Sequence, residues 1–366
     1  MTTLTHDPAH SVSAWRPRDG RGSRQAGPRL GGTSWLVWRQ HRAAYWTLIA
    51  VTLLGVAVMV CLRGQMMDQL NALDSPPKKS DSLPPDFEKH TSRLFGFGSY
   101  LGYLPILVGV FLGAPLIAGD LESGTAKLVT SQSVSRLRWL TTKLAMTAGL
   151  IALCTAVLGA VFNWWWSPLR GRSDTLEWTS SVFFDGTGIM PVAYALLTFT
   201  VGVAVGMVLR RTLVSMVVTL GIVGAIGLVW DRFRLDLGSV LSVSTHNGVG
   251  PGAAPPKLPD QAVQQGQGAY FLTSSGDKLD WTTCVAQSEH TKAHTACLES
   301  KHVIGWSIDY LPVSQMHTMQ WLGAGIMLAV TAAVVVAFII PWASMGKAAG
   351  AAQRVGRSMA TFSRSR

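Results

Sequence analysis

Acidic residues are scarce in this chain, 20 against 31 lysines and arginines, and six long apolar runs hold no charged residue of either sign. The runs are Ala44–Leu62, Gly98–Gly119, Leu144–Trp165, Thr187–Leu209, Thr212–Trp230 and Trp321–Trp342. Each has about the 20 residues that a helix needs to cross a hydrocarbon core. Buried helices of soluble domains are usually shorter, so six such runs exclude a soluble fold and point to an all-α integral membrane protein.

Other absences narrow the function. None of the nine histidines falls inside a run, and neither does any Asp, Glu, Lys or Arg. Ion-coupled carriers need a group that changes charge along the path, so a self-powered secondary transporter is disfavoured. An intramembrane hydrolase would need a base at membrane depth and finds none. No Gly-x4-Gly-Lys-Ser/Thr pattern occurs, because Gly346-Lys347 is followed by Ala348, and ATP binding through a P-loop within this chain is excluded. No cofactor or metal is expected, and a membrane enzyme using loop groups such as His290 or His294 is the weakest reading.

The charge that is present lies between the runs, and it alternates. The N-terminal segment, the second connector (Asp120–Lys143), the fourth (Arg210, Arg211) and the C-terminal tail hold 18 basic and 4 acidic residues. The first, third and fifth connectors hold 13 basic and 16 acidic ones. Basic residues near span ends are retained in the cytoplasm, which places the first set and both termini inside a cell membrane. The net charge of +11 then divides into +14 inside and −3 outside, and it calls for an anionic lipid surface rather than nucleic acid. Trp46 and Trp342 at inner ends, and Trp164, Trp165, Trp166, Trp230 and Trp321 at outer ends, read as interfacial anchors.

Residues 1–32 are rich in Gly, Pro, Ser and Arg and read as a disordered cytoplasmic tail. No cleavable signal peptide is expected, and the first span serves as its own insertion signal. Ser34–Arg42, with Trp35 and Trp38 three residues apart, reads either as an interfacial amphipathic helix or as the inner end of the first span. Residues 33–230 thus comprise this helix and spans one to five, 231–320 an extracytoplasmic loop, 321–342 the sixth span and 343–366 a basic cytoplasmic tail. Within the large loop, Gly248 to the Gln264 region is expected to be irregular, and Tyr270–Met319 to form a small ordered cap.

Of four cysteines, Cys61 and Cys154 lie in spans and act as small apolar residues. Cys284 and Cys297 lie in the outer loop, where an oxidising exterior permits a disulfide. A metal site from Cys284, His290, His294, Cys297 and His302, or free thiols, remain alternatives, although the spacing fits no standard zinc pattern. Small-residue pairs (Gly98/Gly102, Gly109/Gly113, Gly202/Gly206 and the Gly221, Gly224, Gly227 series) allow close helix approach, within the chain or in a dimer. Pro105, Pro115 and Pro191 are expected to kink their helices.

The second connector carries the most information. Glu122, Gly124, Thr125, Leu128, Val134, Ser135, Arg136 and Lys143 follow a pattern that resembles the permease subunits of type-2 ABC exporters. Ser34–Arg42, and Tyr310-Leu311-Pro312-Val313-Ser314 with Gln320-Trp321, are similar to further elements of actinobacterial members. Ser133 stands where the family often has Pro, and Ser314-Gln315 where Ser-Arg is usual. The resemblance implies a six-span permease that pairs with a second permease copy or homologue. It also implies a separate nucleotide-binding ATPase, carrying the ATP and Mg, that docks on the loop of Asp120, Glu122, Gly124, Thr125, Leu128 and Arg136. Independently of the family, Leu121, Leu128 and Val129 could seat in a partner groove with charged residues at its rim. The alternative is a non-transporting membrane sensor or immunity-type scaffold that binds a peptide or antibiotic through its outer loop.

Overall fold

A computed structural model describes residues 33–72, 85–124, 136–171, 176–249, 253–287 and 291–342. The tails assigned to 1–32 and 343–366 lie outside these residues. Six helical segments are long and apolar enough to cross a membrane: Val37–Ala72, Phe87–Glu122, Leu137–Leu169, Met190–Leu209, Thr212–Leu237 and Val313–Trp342.

The first is one helix, α1 (Thr33–Ala72), with no break between Ser34–Arg42 and the apolar run. Ser34–Arg42 is thus helical and joined to the first span without interruption. The second segment is assembled from pieces: α2 (Pro85–Gly102), α3 (Leu104–Leu107), a π-helical turn (Val108–Gly113) and α4 (Ala114–Glu122). Pro105 and Pro115 sit in the first turns of α3 and α4, where a missing N–H costs nothing, so each starts a helical piece. Pro191 likewise falls in the first turn of α7 (Met190–Leu209) rather than at a kink within it.

The third segment, α5 (Arg136–Trp166), begins two turns before the charge-free run does. A short α6 (Ser181–Phe184) precedes α7, and α8 (Thr212–Phe233) follows it after Arg210, which takes a left-handed φ of 56°, and an extended Arg211. The sixth span is α10 (Met316–Val334), continued by a π-helical turn, Val335–Ile339.

Glycine sets the closest helix approach. A Cβ on Gly202 of α7 would lie 2.3 Å from the carbonyl oxygen of Gly109, and one on Gly206 2.4 Å from that of Ala114. Gly109 and Gly113 of the π turn would likewise strike the Thr198 and Phe199 carbonyls. These two glycine pairs therefore serve packing within the chain. Gly221 and Gly224 of α8 face open space instead.

The large loop is not helical throughout. Between α8 and α10 lies an antiparallel sheet of order β1-β4-β2-β3, built from β1 (Leu241–Ser244), β2 (Val263–Thr273), β3 (Lys278–Asp280) and β4 (Val303–Leu311). The all-α description is corrected accordingly: the chain is a six-helix membrane bundle with a four-stranded sheet. β2 also draws on the stretch that its Gln and Gly content marks as irregular. It is held on both edges, Phe271 pairing with Trp306 of β4 and with Leu279 of β3, and cross-strand packing overrides intrinsic preference. The sheet rests on the bundle through Leu311, wholly buried among Met316 and Met319, and through Trp178 Nε1, which donates to the Gln261 carbonyl at 3.0 Å.

The aromatic reading needs a second correction. Trp46, Trp164 and Trp321 are exposed, as anchors must be, but Trp165, Trp166 and Trp342 are buried. Trp166 stacks on Phe183 at 4.7 Å, and Phe183 on Phe162 at 5.9 Å, so consecutive Trp residues pack the core of one bundle end. Trp165 and Trp166 are each only 1% exposed, and their bulk goes to burial.

Candidate coupling site and outer cavity

The two ends of the second connector are fastened to each other. Asp120, in the last turn of α4, forms an ion pair with Lys143 of α5, and Lys143 is wholly buried. Gln40 of α1 donates from Nε2 to the second carboxylate oxygen of Asp120 at 2.8 Å. The Lys143 ammonium also lies 5.2 Å from the Trp139 ring, and one turn further along α5 Thr147 shares a 2.8 Å hydrogen bond with the buried Tyr45 hydroxyl of α1. Three helices are thus bound by a charge-assisted network in an apolar setting, where each interaction is strong and each loss costly.

Glu122 extends this network to the fourth connector. Its Oε2 accepts the backbone N–H of Thr212 at 2.9 Å. The first N–H groups of a helix lack intrahelical partners, and a carboxylate there also meets the positive end of the helix dipole. Gly124 then leaves the helix with φ of +72°, a conformation costly for any residue with a side chain.

Of the residues assigned to the coupling loop, Asp120, Glu122 and Gly124 are thereby gathered at one bundle end. Thr125 and Leu128, with Val134 and Ser135, lie outside the described residues, and Arg136 marks the start of α5. Trp342 joins Trp139, Leu140 and Ile117 in the buried cluster of the same end. Gln40, the second connector, the fourth connector and the end of the sixth span therefore share one end, in agreement with the alternation of charge along the chain.

The first, third and fifth connectors meet at the other end. Arg63 stands 3.8 Å over the Trp164 ring, and Gln320 Nε2 donates to the Phe184 carbonyl at 2.8 Å. There, a cavity of about 450 Å³ opens between α2, α3, α5, α6, α7 and α8. Its floor includes Asp185, whose Oδ1 accepts the Trp230 indole N–H at 2.8 Å. Burial raises the Asp185 carboxyl to about 6; the Trp230 hydrogen bond and Arg234 oppose that rise, and Asp231 adds to it. In the sequence Asp185 is only a connector residue, and its one signal is a carboxylate two residues before an apolar run.

In the sheet region the structure joins Cys284 to Cys297, with Cα atoms 6.0 Å apart. Among the described residues, no group of three or more His, Cys, Asp or Glu is placed to hold a metal. His290 lies outside them, and Cys61 and Cys154 are free thiols.

Compared with known proteins, residues 49–234 match the family model described as ABC-2 membrane transporter related. No curated protein and no solved structure matches the chain. The matched stretch begins within span one, runs through α8 of span five and includes the Asp120–Lys143 pair, the Glu122–Thr212 contact and the cavity.

Proposed function

The chain belongs to the ABC-2 membrane transporter related family, and from that premise we propose that it is the permease subunit of an ATP-driven exporter. As a member of this family it is a multi-pass membrane component of a transporter and not itself the catalytic part. Membership favours a transporter component over a sensor that only binds. In the proposed arrangement the N-terminal segment, the second and fourth connectors and the C-terminal tail face the cytoplasm. A separate nucleotide-binding ATPase docks on the connector between spans two and three, and a second permease copy or homologue completes the pathway. The outward face of α8, with Gly221 and Gly224 uncovered, suits close approach of such a copy.

The observation that supports coupling is the bracing of this connector at its base. A loop that is to transmit a push must have stiff attachments. Asp120 and Lys143 tie its two ends together, Gln40 ties them to the first span, and Glu122 ties them to the start of the fifth. Force applied to the loop is therefore delivered to α1, α4, α5 and α8 together. ATP-driven closure of the partner would rotate these helices about the glycine contact of α4 with α7 and reshape the path between two permeases.

Co-purification of the full chain with its nucleotide-binding subunit tests the reading. Glu122→Gln with Gly124→Val is expected to abolish association while membrane insertion persists. Association that survives both changes would overturn the coupling assignment.

A further inference from the structure

The cavity at the sheet-bearing end has an unusual lining. Five glycines, at 98, 102, 159, 186 and 227, contribute wall without side chains, and Leu101, Ile106, Leu158 and Pro191 make it apolar. Tyr103, Tyr194 and Trp230 bring aromatic surface. Only two lining residues are charged, Asp185 and Asp231, and both are acidic. Arg234 is not part of the lining: its guanidinium donates to the Thr179 carbonyl at 2.5 Å and to Asp231 Oδ1 at 3.1 Å.

A volume of about 450 Å³ falls within the roughly 300–1,000 Å³ of small-molecule sites. An apolar wall with aromatic faces and the Asp185 carboxylate, beside an exposed Asp231 that is paired with Arg234, selects against anions, whose charge would meet Asp185, and favours cations. Strongly exposed Tyr103 and Leu228 at the rim leave room for an apolar body to extend along the bundle surface. We propose that this cavity binds a hydrophobic cation, with Asp185 as its principal counter-charge and Tyr194 and Trp230 as its aromatic walls.

As a statement about cargo, the proposal rests on the exporter reading; as a statement about binding, it does not. Asp185 interacts with Asp231, Arg234 and Trp230 from α8 and the turn after it and with Tyr194 from α7, and Tyr103 from the turn before α3 shares the cavity lining. None of these places a free cation in the cavity. A ligand cation would supply the charge that the pocket lacks and would draw the Asp185 proton off.

Equilibrium dialysis of labelled tetraphenylphosphonium against the purified full chain in detergent tests this, with tetraphenylborate as the anion of equal shape. The phosphonium is expected to bind saturably and the borate not to. Asp185→Asn retains an oxygen for the Trp230 indole, so the fold is kept, and it should weaken phosphonium binding by about tenfold or more. Gly102→Leu, at a position whose Cβ meets nothing within 4 Å, should block binding by filling the space while leaving both carboxylates in place. Because the phosphonium has no titratable proton, its affinity should rise with pH through about 6 as Asp185 ionises, and that dependence should vanish in Asp185→Asn. Equal binding of the two ions, or phosphonium binding indifferent to both substitutions, would make the space an apolar lipid groove and overturn the proposal. A chain that binds the phosphonium but captures no ATPase retains this site and loses the exporter reading. A chain that captures the ATPase but binds no phosphonium retains the exporter reading and loses this site.

Discussion

Lys143 lies two turns inside α5, wholly shielded from solvent, with its ammonium against the Asp120 carboxylate of α4. An ion pair in such a place stabilises conditionally: the desolvation of both partners offsets much of their attraction, and what is costly is to keep one without the other. Lys143→Met should therefore cost about 3–5 kcal/mol, because it removes one partner of a buried ion pair and keeps the other, while the Gln40 hydrogen bond to Asp120 persists. Adding Asp120→Leu should restore much of that loss. Thermal unfolding in detergent of the two single variants and the double variant measures the coupling, and strictly additive losses would refute it.

The glycine contacts give a sharper contrast. A methyl group at position 202 would sit 2.3 Å from a backbone oxygen that cannot move without the π turn, so Gly202→Ala should destabilise by about 1–3 kcal/mol. The same change at Gly221 meets nothing within 4 Å and removes a flexible residue from a helix interior. It should be neutral or stabilise by up to about 1 kcal/mol. Unfolding midpoints of the two variants separate intrachain packing from a face left for a partner.

Much of this arrangement is legible in the residues. Apolar runs free of charge locate all six spans, and the alternation of basic connectors matches the end at which Gln40, Glu122, Thr212 and Trp342 gather. What escapes is what depends on partners distant in sequence. Lys143 reads as the edge of a connector because a charge ends an apolar run, yet its carboxylate lies 23 positions earlier and lets it enter the helix. Asp185 reads as a loop residue because only the fold brings Trp230 and Tyr194 around it. β2 is hidden for another reason: Gln264, Gly266 and Gly268 have little strand preference, and the register slips between Gln264 and Ala269, where the two glycines take positive φ. The buried Trp165 and Trp166 show that a Trp near a span end is an anchor only if its helix face looks outward.

The Cys284–Cys297 link closes 13 positions of chain beside the sheet. A loop of that size stabilises by about 3 kcal/mol, mainly by restricting the unfolded ensemble. Cys284→Ser with Cys297→Ser should open α9 (Thr291–Ser300), which packs onto β4, while the bundle stays intact. Limited proteolysis should then cut residues 281–302 first, and cutting within the spans at the same rate would show that the link serves the whole molecule.

Asp185 also makes stability depend on pH. Its carboxyl titrates near 6 in the folded chain because of burial, against about 3.8 when unfolded, so between these values the folded state holds a proton that the unfolded state has released. The contribution of this group to stability is then greatest at the acidic side of the window and declines as pH rises through it, by up to about 3 kcal/mol. Asp280 acts in the opposite sense: the Thr282 hydroxyl and backbone N–H hold its carboxyl below the usual range, and its contribution is lost only as pH falls toward and below that range. The two effects are separable by pH. Measured in detergent from pH about 4.5 to about 7.5, the unfolding midpoint of Asp185→Asn relative to that of the wild-type chain should rise steadily toward the neutral end. A difference between the two chains that does not change with pH would remove Asp185 as a source of the dependence.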